Sequence, residues 1–170
     1  KGRGEKICAV TAYDATFARL ADEVDMDLIL VGDSLGNVVL GYETTLPVTL
    51  DDMVHHAAAV TRARPRALVL ADLPYLTFHI SPEDTLRNAG RLVREAGVDG
   101  VKLEGAGHRL DHVRKLVQAV RHELAESYLA DDSFTLKEIS CLLGFYGQSS
   151  FSRAFKRWTG LTPQEYRQGA

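Results

Sequence analysis

A single long amphipathic stretch divides this chain into two parts with different patterns. Its apolar residues keep helical spacing throughout, so LDHVRKLVQAVRHELAESYL at 110–129 predicts one helix. Before it, short apolar runs alternate with helical segments; after it, every segment carries helix start and stop signals. We therefore expect two domains of unrelated origin, residues 1–116 and 117–170, joined within this helix between His112 and Arg121.

The first part predicts parallel βα units. Near-continuous apolar strands are expected at 7–11, 28–31, 67–71 and 100–105, and a helical segment follows each of them. A TIM barrel and a doubly wound sheet both fit this pattern, and in either fold the chemistry gathers at the carboxyl ends of the strands.

Acids follow three successive predicted strands, as Asp33, Asp72 and Glu104. Carboxylates that converge at one edge would bind a hard divalent cation, and Mg²⁺ is favoured. Lys102 would point to the same rim and could hold an anionic substrate group. A single acid after a strand is more often a solvated loop residue. Three acids in equivalent positions weaken that interpretation, but their spacing alone does not decide between solvated loops and a metal site.

Five motifs stand in this part of the chain: TAYD at 11–14, VGDSLG at 31–36, LGYETTLPVTL at 40–50, ADLPY at 71–75 and VKLEG at 101–105. Together, in this order and spacing, they resemble ketopantoate hydroxymethyltransferases over roughly the first two thirds of the chain. The resemblance implies half of a (βα)8 TIM barrel, with about four parallel βα units, followed by a small all-α subdomain.

The resemblance also implies an activity and a site. The family transfers a hydroxymethyl group from methylenetetrahydrofolate to 3-methyl-2-oxobutanoate, in pantothenate synthesis. Asp33, Asp72 and Glu104 match its Mg²⁺ site, and Asp33, Ser34, Asp72 and Lys102 match its keto-acid contacts. A metal chelated by the keto acid would stabilise the enolate that forms when a base removes a proton.

The chain then departs from that family. The parent fold continues with about four more βα units, which carry the general base and complete the folate site. Without a base, which contributes roughly 10²–10⁴-fold, we expect no catalytic residue here and no significant transferase activity. Half a barrel would also expose its inner face and two edge strands. Two copies could cover each other as a homo-oligomer, the C-terminal helices could lie over the gap, or the fold stays loose.

The last third predicts a helix-turn-helix, because two short helices are joined by a turn that contains glycine. The second helix, 148–158, carries Arg153, Lys156 and Arg157 and no acid, as suits a helix that enters the major groove of DNA. On pattern alone, a three-helix bundle with a solvated basic face fits the sequence about as well as a helix-turn-helix does.

Four further motifs look like the C-terminal end of AraC-type transcription regulators: EIS at 138–140, LGF at 143–145, QSSFSRAFKRWTG at 148–160 and TPQEYR at 162–167. That family joins two helix-turn-helix units by a long helix, and this chain keeps only the helix and the second unit. We therefore expect weak DNA binding, near non-specific affinity. By resemblance the base-reading positions are Gln148, Ser149, Ser152 and Arg153, and the phosphate contacts are Lys156 and Arg157.

Composition and charge bear on the binding partners, the cysteine chemistry and the location of the protein. A net charge of −3 gives no sign of a general nucleic-acid or membrane binder. Cys8 and Cys141 each sit in an apolar run, so buried thiols are expected rather than a disulfide or a zinc site. No apolar stretch is long enough to span a bilayer and no signal pattern opens the chain, which favours the cytoplasm.

Taken together, the two resemblances predict a fusion, artificial or accidental, of a truncated transferase with a partial DNA-binding domain. A sequence-specific regulator of AraC type is the alternative. A third hypothesis is a keto-acid or metal sensor that signals through the shared helix to the DNA reader.

Overall fold

The computed structural model describes residues 4, 6–105 and 110–169. The chain divides into two compact units, Lys1–Val113 and Arg114–Ala170, which are described separately below. The boundary predicted from sequence falls a few residues later; it concerns the origin of the two parts and stays a prediction.

The N-terminal unit is a parallel sheet with helices between its strands. The strand order is β1-β2-β3-β4, and every neighbouring pair is parallel. The fold class expected from the sequence, four parallel βα units, is confirmed. The elements are β1 (Ala9–Thr11), α1 (Ala15–Glu23), β2 (Leu28–Val31), α2 (Leu35–Val38), α3 (Leu50–Thr61), β3 (Leu68–Asp72), α4 (Pro82–Arg91), a π-helical turn (Leu92–Ala96) and β4 (Gly100–Lys102).

The two faces of the sheet have different environments. Ile29 and Val69 are paired in register and lie on the face that α3 covers, where they are buried. Leu28 and Leu30 lie on the opposite face and are only half-buried. Leu68, on that same face, keeps 57% of its surface exposed. This second face corresponds to the inside of a barrel that four strands do not close.

The first strand is not buried, which corrects one expectation. A buried strand is predicted over 7–11, but all three residues of β1 are exposed, since β1 is an edge strand with a neighbour on one side only. Cys8, just before it, is exposed for the same reason. Cys141 is also exposed, because the buried residues around it, Ile139, Ser140 and Leu143, lie on another face of the helix. The predicted burial of both thiols is therefore wrong.

The sequence signals place one helix between Ser81 and Gly97; α4 begins as predicted but ends at Arg91, and a π-helical turn continues it to Ala96. Ser81 is the N-cap, and its Oγ accepts a hydrogen bond from the backbone N–H of Asp84 at 3.0 Å, with Pro82 in the first turn. Gly97 closes the segment with φ +70°, a left-handed conformation that favours glycine. The last turn, Leu92–Ala96, has π-helical hydrogen bonding that the sequence pattern does not indicate.

The C-terminal unit is all helical. The long helix α5 (Leu110–Leu129) has the predicted bounds and crosses the boundary between the two units. It is followed by α6 (Leu136–Leu142), α7 (Gln148–Thr159) and α8 (Pro163–Gly169). Within the described residues, no helix is both long and apolar enough to cross a membrane. Six buried side chains form the core of this unit: Ala125, Leu129, Ile139, Leu143, Phe151 and Phe155.

Capping boxes start two of these helices, as the Thr-x-x-Glu spacing at 135–138 and 162–165 predicts. The Glu138 carboxylate accepts from the backbone N–H of Thr135 at 2.8 Å, and the Glu165 carboxylate accepts from that of Thr162 at 2.7 Å. The hydroxyl of Thr135 also donates to Glu138, and these bonds hold the pKa of the Glu138 carboxyl below its usual value. Gly160 ends α7 with φ +81°. Local side-chain chemistry therefore sets these helix ends.

Candidate functional sites

The acids predicted to share a site lie at one edge of the parallel sheet. Asp72 is the last residue of β3, and Asp33 and Glu104 each follow their strand by two residues. Because the strands are parallel, their carboxyl ends meet at the same edge. Asp72 is buried, Asp33 is half-buried and Glu104 is exposed. The edge therefore carries a graded row of carboxylates, from the interior to solvent.

Asp72 is the centre of this row. Its Oδ1 accepts from Lys102 Nζ at 2.7 Å, and its Oδ2 accepts from the backbone N–H of Asp33 at 3.2 Å. A Cβ at position 32 would lie 2.9 Å from Ser34 Oγ and 3.4 Å from Asp72 Oδ2, so Gly32 allows this close approach. The sequence alone indicates neither of the two hydrogen bonds that orient Asp72.

The charge of Asp33 is poorly compensated. Burial raises the pKa of its carboxyl, and the negative charges of Asp72 and Glu104 raise that pKa further. Lys102 acts in the opposite direction, but the pKa of Asp33 stays above its ordinary value. The carboxylates of Asp72 and Glu104 therefore repel that of Asp33 more than Lys102 attracts it, and an added cation would relieve that repulsion.

A cleft of about 310 Å³ opens beside these acids. Asp33 and Glu104 contribute charge to its lining, while Leu46, Leu73 and Phe78 contribute apolar surface. A volume near the lower end of ligand pockets suits a small molecule with one charged and one apolar end. Its other lining residues are Thr45, Tyr75, His79 and Gly105.

Ser34 contacts Tyr13, which belongs to the TAYD motif at 11–14 but is not among the predicted site residues. Its Oγ is 2.9 Å from the hydroxyl of Tyr13, and the backbone carbonyl of Tyr13 is 2.8 Å from His56 Nδ1. Tyr13 follows β1 by two residues, as Asp33 follows β2. That equivalent position in the first βα unit is the signal that would have indicated Tyr13.

The predicted magnesium site is not preformed. Within residues 4, 6–105 and 110–169, no group of three or more His, Cys, Asp or Glu side chains could hold a metal ion as they stand. In chemical kind, the three carboxylates fit Mg²⁺, which takes oxygen ligands. The raised pKa of Asp33 also indicates negative charge that a cation would balance. The metal assignment stays a prediction.

The predicted DNA-reading residues share one face of α7. Phe151, Ala154 and Phe155 are buried on the opposite face. The segment 148–159 contains no acid, so the free face is purely basic and polar. Gln148, Ser149, Arg153, Lys156 and Arg157 are exposed, and Ser152 is half-exposed. The structure brings the six residues together, and their contact with DNA stays a prediction.

The comparison with known proteins decides the origin of the first unit. The family model of ketopantoate hydroxymethyltransferase matches residues 1–120. The chain belongs to the ketopantoate hydroxymethyltransferase family. A 3-methyl-2-oxobutanoate hydroxymethyltransferase of Moorella thermoacetica is 57% identical over 119 residues, which are 70% of this chain and 44% of that protein. One of Syntrophomonas wolfei is 54% identical over 119 residues, again 70% of this chain and 43% of that protein.

A helix-turn-helix domain follows the part of the chain that matches the transferase family. Its family model matches residues 108–169, so the two matches overlap over residues 108–120, most of which lie in α5. The chain spans less than half the length of the curated relatives that it matches. The chain therefore joins part of a ketopantoate hydroxymethyltransferase sequence to a helix-turn-helix domain, as the sequence predicts.

Solved structures support the barrel fold. An oxaloacetate acetylhydrolase has a TM-score of 0.53 at 23% identity, covering 71% of this chain and 45% of that one. A 2,3-dimethylmalate lyase has a TM-score of 0.53 at 20% identity, covering 89% of this chain and 53% of that one. At these identities the likeness concerns the fold alone.

Proposed function

We propose that the N-terminal unit binds Mg²⁺ and a small 2-oxo acid, 3-methyl-2-oxobutanoate, in the cytoplasm and does not turn the acid over. The observation that carries this proposal is the row of carboxylates around Lys102, beside a cleft with an apolar wall. Family membership supplies the identity of the metal and of the acid.

Each residue has a definite role in this proposal. Asp33, Asp72 and Glu104 would hold Mg²⁺, which supplies electrophilic stabilisation to an α-keto acid that chelates it. Lys102, held by Asp72 at 2.7 Å, places a positive charge at the rim where a substrate carboxylate would lie. Ser34, oriented by Tyr13, would donate a hydrogen bond to the same ligand.

Methylenetetrahydrofolate, the family's co-substrate, is not expected to bind productively. Its site and the general base belong to the half of the family fold that lies beyond this match, and a helix-turn-helix domain takes its place here. We therefore expect the chain to bind the keto acid without removing its proton, because the residues proposed to hold the acid are present and the general base is not.

A thermal melt of the full chain tests the binding proposal. With Mg²⁺ and 3-methyl-2-oxobutanoate at a hundredfold their dissociation constants, a competent site gains about 2.7 kcal/mol of stability and the melting temperature rises. Asp72→Ala should abolish the rise, and Asp33→Asn, a milder change that removes one charge, should reduce it.

Asp132→Ala is the matched control, since Asp132 is an exposed acid in the other unit. It should melt and respond as the parent does. A parent protein that ignores the ligands, or a rise that survives both Asp72→Ala and Asp33→Asn, would refute the assigned site.

We propose weak DNA binding as a second function, carried by the exposed face of α7 and its lack of acids. A lone helix-turn-helix reads one groove segment, so its affinity for DNA depends mainly on phosphate contacts and falls steeply with salt. Arg153 is placed among the base-reading positions, and Lys156 and Arg157 among the phosphate contacts, by resemblance to the regulators.

Binding to a duplex selected from a random pool tests this function. Arg153→Ala should weaken binding to the selected duplex by roughly tenfold or more, as the loss of a base contact does. Lys137→Ala, which removes an exposed cation from α6, is the control and should change little. Fluorescence anisotropy at fixed salt gives both affinities. Equal affinity for unrelated duplexes, before and after Arg153→Ala, rules out sequence reading.

A further inference from the structure

Both edges of the four-stranded sheet present unused hydrogen-bonding groups. Cys8 O accepts from Leu28 N at 3.2 Å and Ala12 N donates to Leu30 O at 3.3 Å, so both residues direct backbone groups toward β2. Successive residues of a strand direct their backbone groups to opposite sides, so Thr11, next to Ala12, directs its groups away from β2. At the other edge, Lys102 O accepts from Leu73 N at 3.1 Å. By the same alternation, Val101, which precedes Lys102, directs its backbone groups away from β3. In the described part of the chain, no strand pairs with these outer sides.

Apolar side chains surround the same open surfaces. Leu68, on the uncovered face of the sheet, is 57% exposed. Helix α1, which follows the edge strand β1, exposes Phe17 by 60%, Leu20 by 49% and Val24 by 64%. With Val10 and neighbouring residues they line an open apolar groove. A surface of this kind is typical of a contact site rather than of a free surface.

We propose that a second copy of this chain covers these surfaces and completes an eight-stranded parallel barrel. In this dimer, β4 of each copy pairs with β1 of the other. All strands run in the same direction, and each copy offers one β1 edge and one β4 edge. A two-fold axis along the barrel therefore places β4 of each copy beside β1 of the other, which closes both junctions at once. Two four-stranded units supply the eight strands of the closed fold.

A second copy fits better than other occupants because it offers both complementary edges and the apolar layer in one step. Two strand junctions, the inner side-chain layer and the helix contacts would bury on the order of 2,000 Å² or more, which is the range of obligate dimers. The solved relative of this fold, of which this chain covers 45%, carries further structure beyond the matched part. The inference is independent of the ligand and DNA proposals.

Sedimentation of the full chain is the first test. The parent should sediment as a dimer of about 37 kDa, twice its 18.7 kDa. Leu68→Asp should shift it to monomer at micromolar concentration, because the charge would be buried inside the barrel. Leu142→Asp is the matched control: Leu142 is also 57% exposed but lies on α6 in the other unit, and the variant should stay dimeric. A monomeric parent, open-ended polymers, or a dimer that Leu68→Asp leaves intact would overturn the proposal.

A cross-linking experiment identifies the edges that meet, with conservative changes that preserve the fold. In a chain carrying Cys8→Ser and Cys141→Ser, Val10→Cys marks β1 and Val101→Cys marks β4. Adjacent strands lie about 4.8 Å apart, so a short bis-maleimide should join the two variants when they are mixed. Each variant alone should give no cross-linked dimer. Cross-linking of Val10→Cys to itself, or none in the mixture, would overturn barrel closure.

Discussion

Phe151→Ala is expected to unfold the C-terminal unit of the full chain. Phe151 is fully buried, and its ring centroid lies 5.6 Å from that of Phe145 and 5.7 Å from that of Phe155. Truncating a buried phenylalanine costs about 3–5 kcal/mol, which is comparable to the whole stability of a domain this small. Far-UV circular dichroism should show a loss of helix, and the selected DNA duplex should no longer bind.

Tyr146→Ala provides the comparison within the same unit. Tyr146 has a relative exposure of 105%, so the change removes no packed surface and should leave helix content and unfolding nearly unchanged. If both variants unfold alike, the stability of the unit does not rest on the phenylalanine core. If Phe151→Ala keeps its full helix content, the core is less essential than its burial implies.

The full chain is expected to form no ketopantoate above background when it is supplied with Mg²⁺, methylenetetrahydrofolate and 3-methyl-2-oxobutanoate. By the family resemblance, the general base and part of the folate site belong to the half of the fold beyond the match; lack of the base alone would lower the rate by roughly 10²–10⁴-fold. The transferase of Moorella thermoacetica, which is 57% identical over 119 residues, is the reference enzyme in the same assay. Product formation followed over time measures both rates.

Asp72→Ala gives this assay its internal check. Turnover that disappears with Asp72→Ala would mean that the half-site is catalytic, which would contradict the prediction. Turnover that survives the change would come from a contaminating enzyme. A thermal shift with ligand but without turnover is the combination that we expect, since the proposed keto-acid contacts Asp72 and Lys102 are paired in this chain at 2.7 Å.

Several elements were predictable because their causes are local. The bounds of β2 and α5 agree with the sequence prediction, since a short apolar run and a helical apolar spacing depend on near neighbours. The caps at Ser81 and Thr135 also agree, because a cap side chain and the N–H it binds are three residues apart. The glycine-containing stretch 35–47 predicts a loop, and helix α2 lies inside it without a sequence signal, because its four residues show no period.

The candidate site was predicted in composition but not in arrangement. Position after parallel strands indicates that Asp33, Asp72 and Glu104 share an edge. The ion pair between Asp72 and Lys102 and the contact between Ser34 and Tyr13 join residues that are 30 and 21 positions apart. Such contacts depend on the register between strands, which the apolar pattern of one strand does not specify.

Residue order alone indicated the transferase family, the helix-turn-helix domain, the order of strands and helices, and the chemical kind of each candidate site, because motifs and periodicity depend on neighbouring residues. Which apolar residues are covered depends instead on packing between distant parts of the chain. Val10 and Leu68 sit in strands but are exposed by 37% and 57%, since burial requires a neighbour on each side and the four-stranded sheet provides none beyond its edges or over its inner face.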